Sequence, residues 1–239
     1  MKSRKVFWIN LAIVTVSLLL IAAILLRVHT TKPPSAGQVY SDSLRSVVEL
    51  CAQTQDVGES YGTAVFIDPS GLLVTNAHVV TYSQLGEQVA FDHYSIRFAT
   101  EDTYRDAALV RFNTELDLAL LQLSDTNCAF EPISAGKPDT VKSGDKVYAV
   151  GNSLNYGISI SEGIVGVPRL EIAYENAVRT VIQCDLTIAE GNSGGALLNE
   201  EGELIGITTF RTKDAAGNVV HGFAYCVPID IVMEYISTP

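Results

Sequence analysis

Ser193 stands in Ala189-Glu190-Gly191-Asn192-Ser193-Gly194-Gly195-Ala196, where glycines on both sides let the chain turn sharply around a hydroxyl. Such a turn can aim the backbone amides of Gly191 and Ser193 at one point beside that hydroxyl. Acyl transfer needs this pairing: a nucleophile, and two N–H donors where negative charge grows on the attacked carbonyl oxygen. A serine hydroxyl is a poor nucleophile alone, so the chemistry also needs a base and a group to orient the base. His78, in Thr75-Asn76-Ala77-His78-Val79-Val80, is the candidate base, and Asp117, ahead of Leu118-Ala119-Leu120-Leu121, is the candidate orienter. Singly, each has an ordinary explanation as a surface histidine, a turn acid and a loop serine. Together and in this order they specify a mechanism: His78 takes the Ser193 proton and later gives it to the leaving amine, while Asp117 holds the imidazole tautomer. The amides of Gly191 and Ser193 would bind the oxyanion, each worth about 3 kcal/mol of barrier. His29, His93 and His221 lack comparable flanks and are read as solvated.

The order His, Asp, Ser is that of chymotrypsin-type enzymes, unlike subtilisin or the α/β-hydrolases. The three blocks, with Gly144 to Asn152 (GDKVYAVGN) and Gly202 to Thr209 (GELIGITT), resemble the HtrA (Deg) serine proteases over roughly Ser46 to Ile236. The resemblance implies an all-β fold of two six-stranded antiparallel β-barrels, chymotrypsin-like, the first over about 41–130 and the second over about 131–239. By the same likeness, Thr187, Ile188, Thr208, Thr209, Phe210 and Arg211 line the primary substrate pocket, with Tyr225 to Val227 behind. Thr187 stands where an acid would select Lys or Arg, so small or medium apolar side chains are expected; Arg211 could instead favour an acidic one. Glu190 replaces the proline common at that place in the family. HtrA proteins are often homotrimers, though no feature of this sequence demands it. Many also carry a C-terminal PDZ domain; the chain ends at Pro239 without one, so PDZ-based regulation is not expected.

Elements that could position these residues follow from pattern. Tyr61 to Ile67 and Leu72 to Thr75 flank the turn sequence Asp68-Pro69-Ser70-Gly71, leaving His78 just past a strand end. Val47 to Leu50, Gln88 to Phe98, Ala107 to Asn113 and Leu118 to Leu123 supply further strands, and Ser124 to Thr140 reads as the crossover. Lys146 to Val150, Ile158 to Val165, Thr180 to Asp185, Ala196 to Leu198, Glu203 to Phe210 and Phe223 to Val227 form a second set. Many short strands with turns between them indicate antiparallel β architecture. Ile229, Val232, Met233 and Ile236 recur at helical spacing and predict a short closing helix.

The N-terminus is of another kind. Val6 to Leu26 is a 21-residue uncharged apolar run, which as a helix at about 1.5 Å per residue matches a bilayer core of about 30 Å. It exceeds the usual signal-peptide core, Arg27 closes it, and no Ala-x-Ala site follows, so an uncleaved anchor is expected over cleavage. Lys2, Arg4 and Lys5 keep residues 1–5 cytoplasmic, Val6 to Leu26 span, residues 27–40 form a stalk, and 41–239 lie outside the cell membrane. Residues 1–36 carry five Lys or Arg and no acid, leaving 11 basic against 27 acidic residues beyond. So acidic a domain excludes nucleic acid as partner. Cys51, Cys128, Cys184 and Cys226 allow three pairings; one bridge per barrel would join Cys51 to Cys128 and Cys184 to Cys226, and buried free thiols are the alternative. With no Cys-x-x-Cys or Cys/His cluster, neither metal nor other cofactor is expected. The function expected is a membrane-anchored extracytoplasmic serine endopeptidase that cuts unfolded or exposed polypeptide in protein quality control or processing. The alternatives are a quiescent protease-shaped module that senses or binds peptides and, with less support from the flanks, an esterase.

Overall fold

The computed structural model describes residues 2–29, 33–174, 177–213 and 219–238. It divides between Pro33 and Pro34 into two units. In the first, α1 (Lys2–His29) is one helix whose stretch Arg4–Ala22 is long and apolar enough to cross a membrane.

The second unit holds two closed six-stranded barrels. Barrel one contains β1 (Val47–Thr54), β2 (Gly58–Phe66), β3 (Leu72–Thr75), β6 (His93–Arg97), β7 (Arg105–Asn113) and β8 (Leu118–Leu123). Between β3 and β6 lie one helical turn, α3 (Ala77–Val80), and a hairpin of β4 (Thr81–Gln84) and β5 (Glu87–Ala90). Barrel two contains β9 (Lys146–Asn152), β10 (Ile158–Tyr174), β11 (Ala177–Asp185), β12 (Ala196–Leu198), β13 (Leu204–Lys213) and β14 (Val219–Pro228). Two helices complete the unit, α2 (Ala36–Ser43) before the first barrel and α4 (Ile229–Ser237) after the second.

The strands bury both faces, which is why several read as unbroken apolar runs. In β8, Ala119, Leu121 and Leu123 point into the first barrel, packed with Leu50, Phe66, Leu73 and Ile96. Leu118 and Leu120 point the other way, into a cluster shared with Tyr148, Val150, Leu198, Leu204 and Ile207 of the second barrel. A period of two thus feeds two cores from one strand. Each fully buried Leu or Ile contributes about 1.5–3 kcal/mol, so the inter-barrel cluster holds the two halves in fixed register.

Several expectations shift. The strand foreseen over Gln88 to Phe98 is split, because Leu85 and Gly86, both at positive φ, form a tight turn that pairs Glu87–Ala90 back onto Thr81–Gln84. β11 ends as foreseen and starts slightly earlier, whereas β10 runs on from Val165 to Tyr174 and passes Pro168 where its register slips between Val167 and Leu170, so the missing N–H interrupts no regular ladder. The stretch read as stalk becomes helical at Ala36, capped by Ser35. Val39 enters the inter-barrel core, and the Tyr40 hydroxyl donates to the Ile158 carbonyl at 2.7 Å. All four cysteines are thiols. The Cys226 and Cys184 thiols are hydrogen-bonded, and that contact together with burial holds the Cys226 thiol well above its ordinary range.

Candidate active site

Strand register brings His78 and Asp117 together. β3 runs antiparallel to β8 with Thr75 opposite Ala119, so the chain leaving β3 and the chain entering β8 meet at one end of the first barrel. Three nitrogens clamp the meeting point. Asn76 Nδ2 donates to the Asp117 carbonyl at 2.8 Å, the His78 amide donates to Asp117 Oδ1 at 3.1 Å, and His78 Nδ1 lies 3.0 and 2.9 Å from the two carboxylate oxygens. Asp117 adopts a left-handed backbone (φ 55°), which aspartate tolerates better than most residues.

The Asp117 side chain is 4% exposed and that of His78 48%. Burial alone would raise the Asp117 carboxyl, but hydrogen bonds from His78 and Thr209 more than offset it and hold the group below the usual carboxylate range. Its ionised form therefore stabilises the folded chain above the unfolded value of about 3.9, a contribution lost as pH falls through the lower folded value. A carboxylate facing Nδ1 requires the proton there, which leaves Nε2 as an acceptor.

Ser193 enters from the second barrel. β12 pairs with β9, Ala196 opposite Val150, so the turn before β12 lies beside the chain leaving β9, where Ser153 Oγ donates to Asn192 Oδ1 at 2.8 Å. Ser193 Oγ donates to the Thr209 carbonyl at 3.0 Å, and the Thr209 hydroxyl donates to Asp117 Oδ2. One residue of β13 therefore links the hydroxyl to the carboxylate. Among the described residues Ser193 has no hydrogen bond to His78, so its hydroxyl must leave the Thr209 carbonyl to reach the imidazole.

The amides around Ser193 are set by their neighbours. The Glu190 carbonyl accepts from the Leu154 amide at 2.7 Å, and the Gly191 carbonyl from the Thr63 hydroxyl at 2.6 Å. In a trans peptide the N–H points opposite the preceding C=O, so pinning the Glu190 carbonyl aims the Gly191 N–H the other way. Among the described residues neither the Gly191 nor the Ser193 amide has a hydrogen-bond partner. Two free amides beside a hydroxyl are what a developing oxyanion requires.

The residues foreseen for a substrate pocket have different surroundings. Thr187 is exposed, its carbonyl accepting from Ser161 Oγ. Ile188 is buried in the second barrel's core. The Thr208 hydroxyl is spent on the carbonyls of Asn192 and Gly195, bracing the Ser193 turn, and that of Thr209 on Asp117. Phe210 packs on Tyr225, ring centroids 5.2 Å apart. Arg211 pairs through its backbone with Ala224, and its side chain lies outside the described residues, as does that of His221.

Thr63 was not foreseen. Its hydroxyl donates to Gly191 and accepts from the Asn152 amide at 2.9 Å, while its own carbonyl accepts from Thr75 Oγ1 at 2.7 Å. A threonine inside a strand carries no local signal of such work. Thr63→Val leaves a buried carbonyl and a buried amide unpaired beside the candidate oxyanion hole. It is expected to lower kcat on a peptide substrate by about tenfold to a hundredfold with little change in KM, read from steady-state kinetics.

Two six-stranded barrels with a histidine–aspartate pair from one and a serine turn from the other define the architecture of chymotrypsin-type serine hydrolases. The chain belongs to the trypsin-like peptidase domain family, which matches residues 62–207. It is 30% identical over 204 residues to the serine endoprotease DegS of Haemophilus influenzae, covering 85% of this chain and 56% of that protein. It is 32% identical over 206 residues to the periplasmic pH-dependent serine endoprotease DegQ of Escherichia coli, covering 85% and 43%. The solved structure of the HtrA-type protease AlgW with tripeptide superposes with a TM-score of 0.70 at 27% identity, over 85% of this chain and 62% of that one. The chain thus spans little more than half the length of the first of these curated relatives and less than half of the second.

Proposed function

We propose that this chain is a serine endopeptidase that cleaves exposed segments of polypeptides through an acyl-enzyme. The observation that carries the proposal is the pairing of His78 Nδ1 with both oxygens of buried Asp117, joined through Thr209 to the Ser193 hydroxyl. His78 Nε2 accepts the Ser193 proton as Oγ attacks the peptide carbonyl. The amides of Gly191 and Ser193 hold the oxyanion, and the imidazolium, steadied by Asp117, protonates the leaving amine. Water, activated by the same imidazole, then releases the acyl group. The pinned carbonyls of Glu190 and Asn192, the latter accepting from the Gly195 amide at 2.9 Å, aim the Gly191 and Ser193 amides and favour a hole already formed over a quiescent, peptide-sensing module.

α1 anchors the molecule, with residues 1–5 cytoplasmic and the barrels outside, as its length, its apolar composition and the preceding Lys2, Arg4 and Lys5 support. The similarity to the periplasmic serine endoprotease DegP of Salmonella typhimurium agrees with an extracytoplasmic site, where the activity would serve protein processing or quality control.

A membrane-impermeant fluorophosphonate tests chemistry and topology together. Spheroplasts producing the full chain are expected to give one adduct, on Ser193, before any permeabilisation. Labelling that needs permeabilisation would overturn the topology. A purified protein that refuses the probe yet binds peptides would overturn the chemistry.

A further inference from the structure

We propose that Arg179 is a positioning residue of this site, carried by β11 of the second barrel onto the carboxylate that orients His78. Its Nη1 lies 3.6 Å from Asp117 Oδ2, the oxygen that also accepts from Thr209. Both side chains are removed from solvent, at 10% and 4% exposure. The guanidinium is itself held: Nη2 donates to the Thr114 carbonyl at 3.0 Å, and the group lies over the Phe210 ring, 5.9 Å from its centroid. Phe210 directly follows Thr209 in β13.

Arginine stays protonated at every pH where a protein folds, so Arg179 is a permanent cation. Among the described residues, the charged or titratable side chains against Asp117 are His78, from α3, and Arg179, from β11; Thr209, from β13, adds a neutral hydroxyl, and the recorded ionic contact of His78 is Asp117 alone. Two consequences follow. Arg179 restrains the carboxylate, so the tautomer-holding bond to Nδ1 keeps its geometry. It also places a second positive charge beside the carboxylate that faces the imidazole.

The inference rests on the peptidase reading for its meaning, and its test is chosen to stand apart from turnover. In full-length protein carrying Ser193→Ala, the His78 ring is titrated by NMR with carbon-labelled histidine, alone and with Arg179→Met or Arg179→Lys. The midpoint is expected to rise by about half to one unit in the Met variant and to return most of the way in the Lys variant. With Ser193 restored, the acid limb of kcat/KM moves by the same amount, and kcat at neutral pH falls several-fold at nearly constant KM. An unmoved midpoint beside a lowered melting temperature would make Arg179 a staple between barrels and overturn the inference. Arg179→Gln, which keeps a donor and much of the volume, carries the same test if the Met variant does not fold. A wild type that never cleaves peptides would remove the peptidase reading while leaving the titration result intact.

Discussion

Ser193→Ala is expected to lower kcat for casein hydrolysis by about ten thousandfold or more, with the melting temperature nearly unchanged. The hydroxyl makes one recorded bond, to the Thr209 carbonyl at 3.0 Å, so its loss removes about 1 kcal/mol or less from the fold. The catalytic loss is far larger because without Oγ the donors at Gly191 and Ser193 have no covalent oxyanion to hold. His78→Ala should cost nearly as much, and the double variant scarcely more than either, since the residues act as one unit. Casein digested alike by the wild type and the alanine variant would end the proposed mechanism, whatever the barrels resemble.

The second large effect is on folding. Gly194 sits at φ 82°, and a Cβ there would lie 2.1 Å from Thr75 Oγ1 and 2.2 Å from the Thr63 carbonyl oxygen. Those two atoms are bonded to each other, and both threonines are fully buried. Gly194→Ala therefore drives a methyl group into the hydrogen bond that joins β2 to β3, and is expected to cost about 3–5 kcal/mol. Gly86→Ala is the control: its φ of 88° matches, yet nothing lies within 4 Å of its Cβ, so only the backbone penalty of about 1–2 kcal/mol applies. Urea denaturation of both variants separates the clash from the dihedral. Equal losses would show that the seam at Thr63 and Thr75 yields more easily than its burial suggests.

How far these effects could be foreseen differs from residue to residue. Ser193, His78 and Asp117 each sit in a short stretch whose own residues announce it: glycines around a hydroxyl, or a histidine and an aspartate at the ends of apolar strands. The β2–β3 hairpin was legible for the same reason, because Asp68 to Gly71 is a turn by composition. The β4–β5 hairpin was not, since Leu85 adopts a positive φ that its residue type does not advertise. Thr63 and Arg179 were invisible in a different way. Thr63 meets Gly191 across 128 residues, and Thr209 meets Asp117 across 92, so no local pattern connects them. Thr208 and Thr209 were expected at a substrate pocket by family likeness alone, and nothing local announces that their hydroxyls bond the Ser193 turn and Asp117.

By itself the sequence determined which groups are available for acyl transfer, the antiparallel β character, and an apolar N-terminal stretch able to span a bilayer. Those properties reside in residue type and short-range spacing, which the chain carries before it folds. Tertiary structure alone decided which carbonyls are pinned so that two amides stay free, and which cation shares the Asp117 carboxylate. Each of those outcomes depends on strands that bury both faces. A two-sided apolar strand such as Leu118–Leu123 states that it is buried, and only the closing of two barrels on a shared core states what lies across from it.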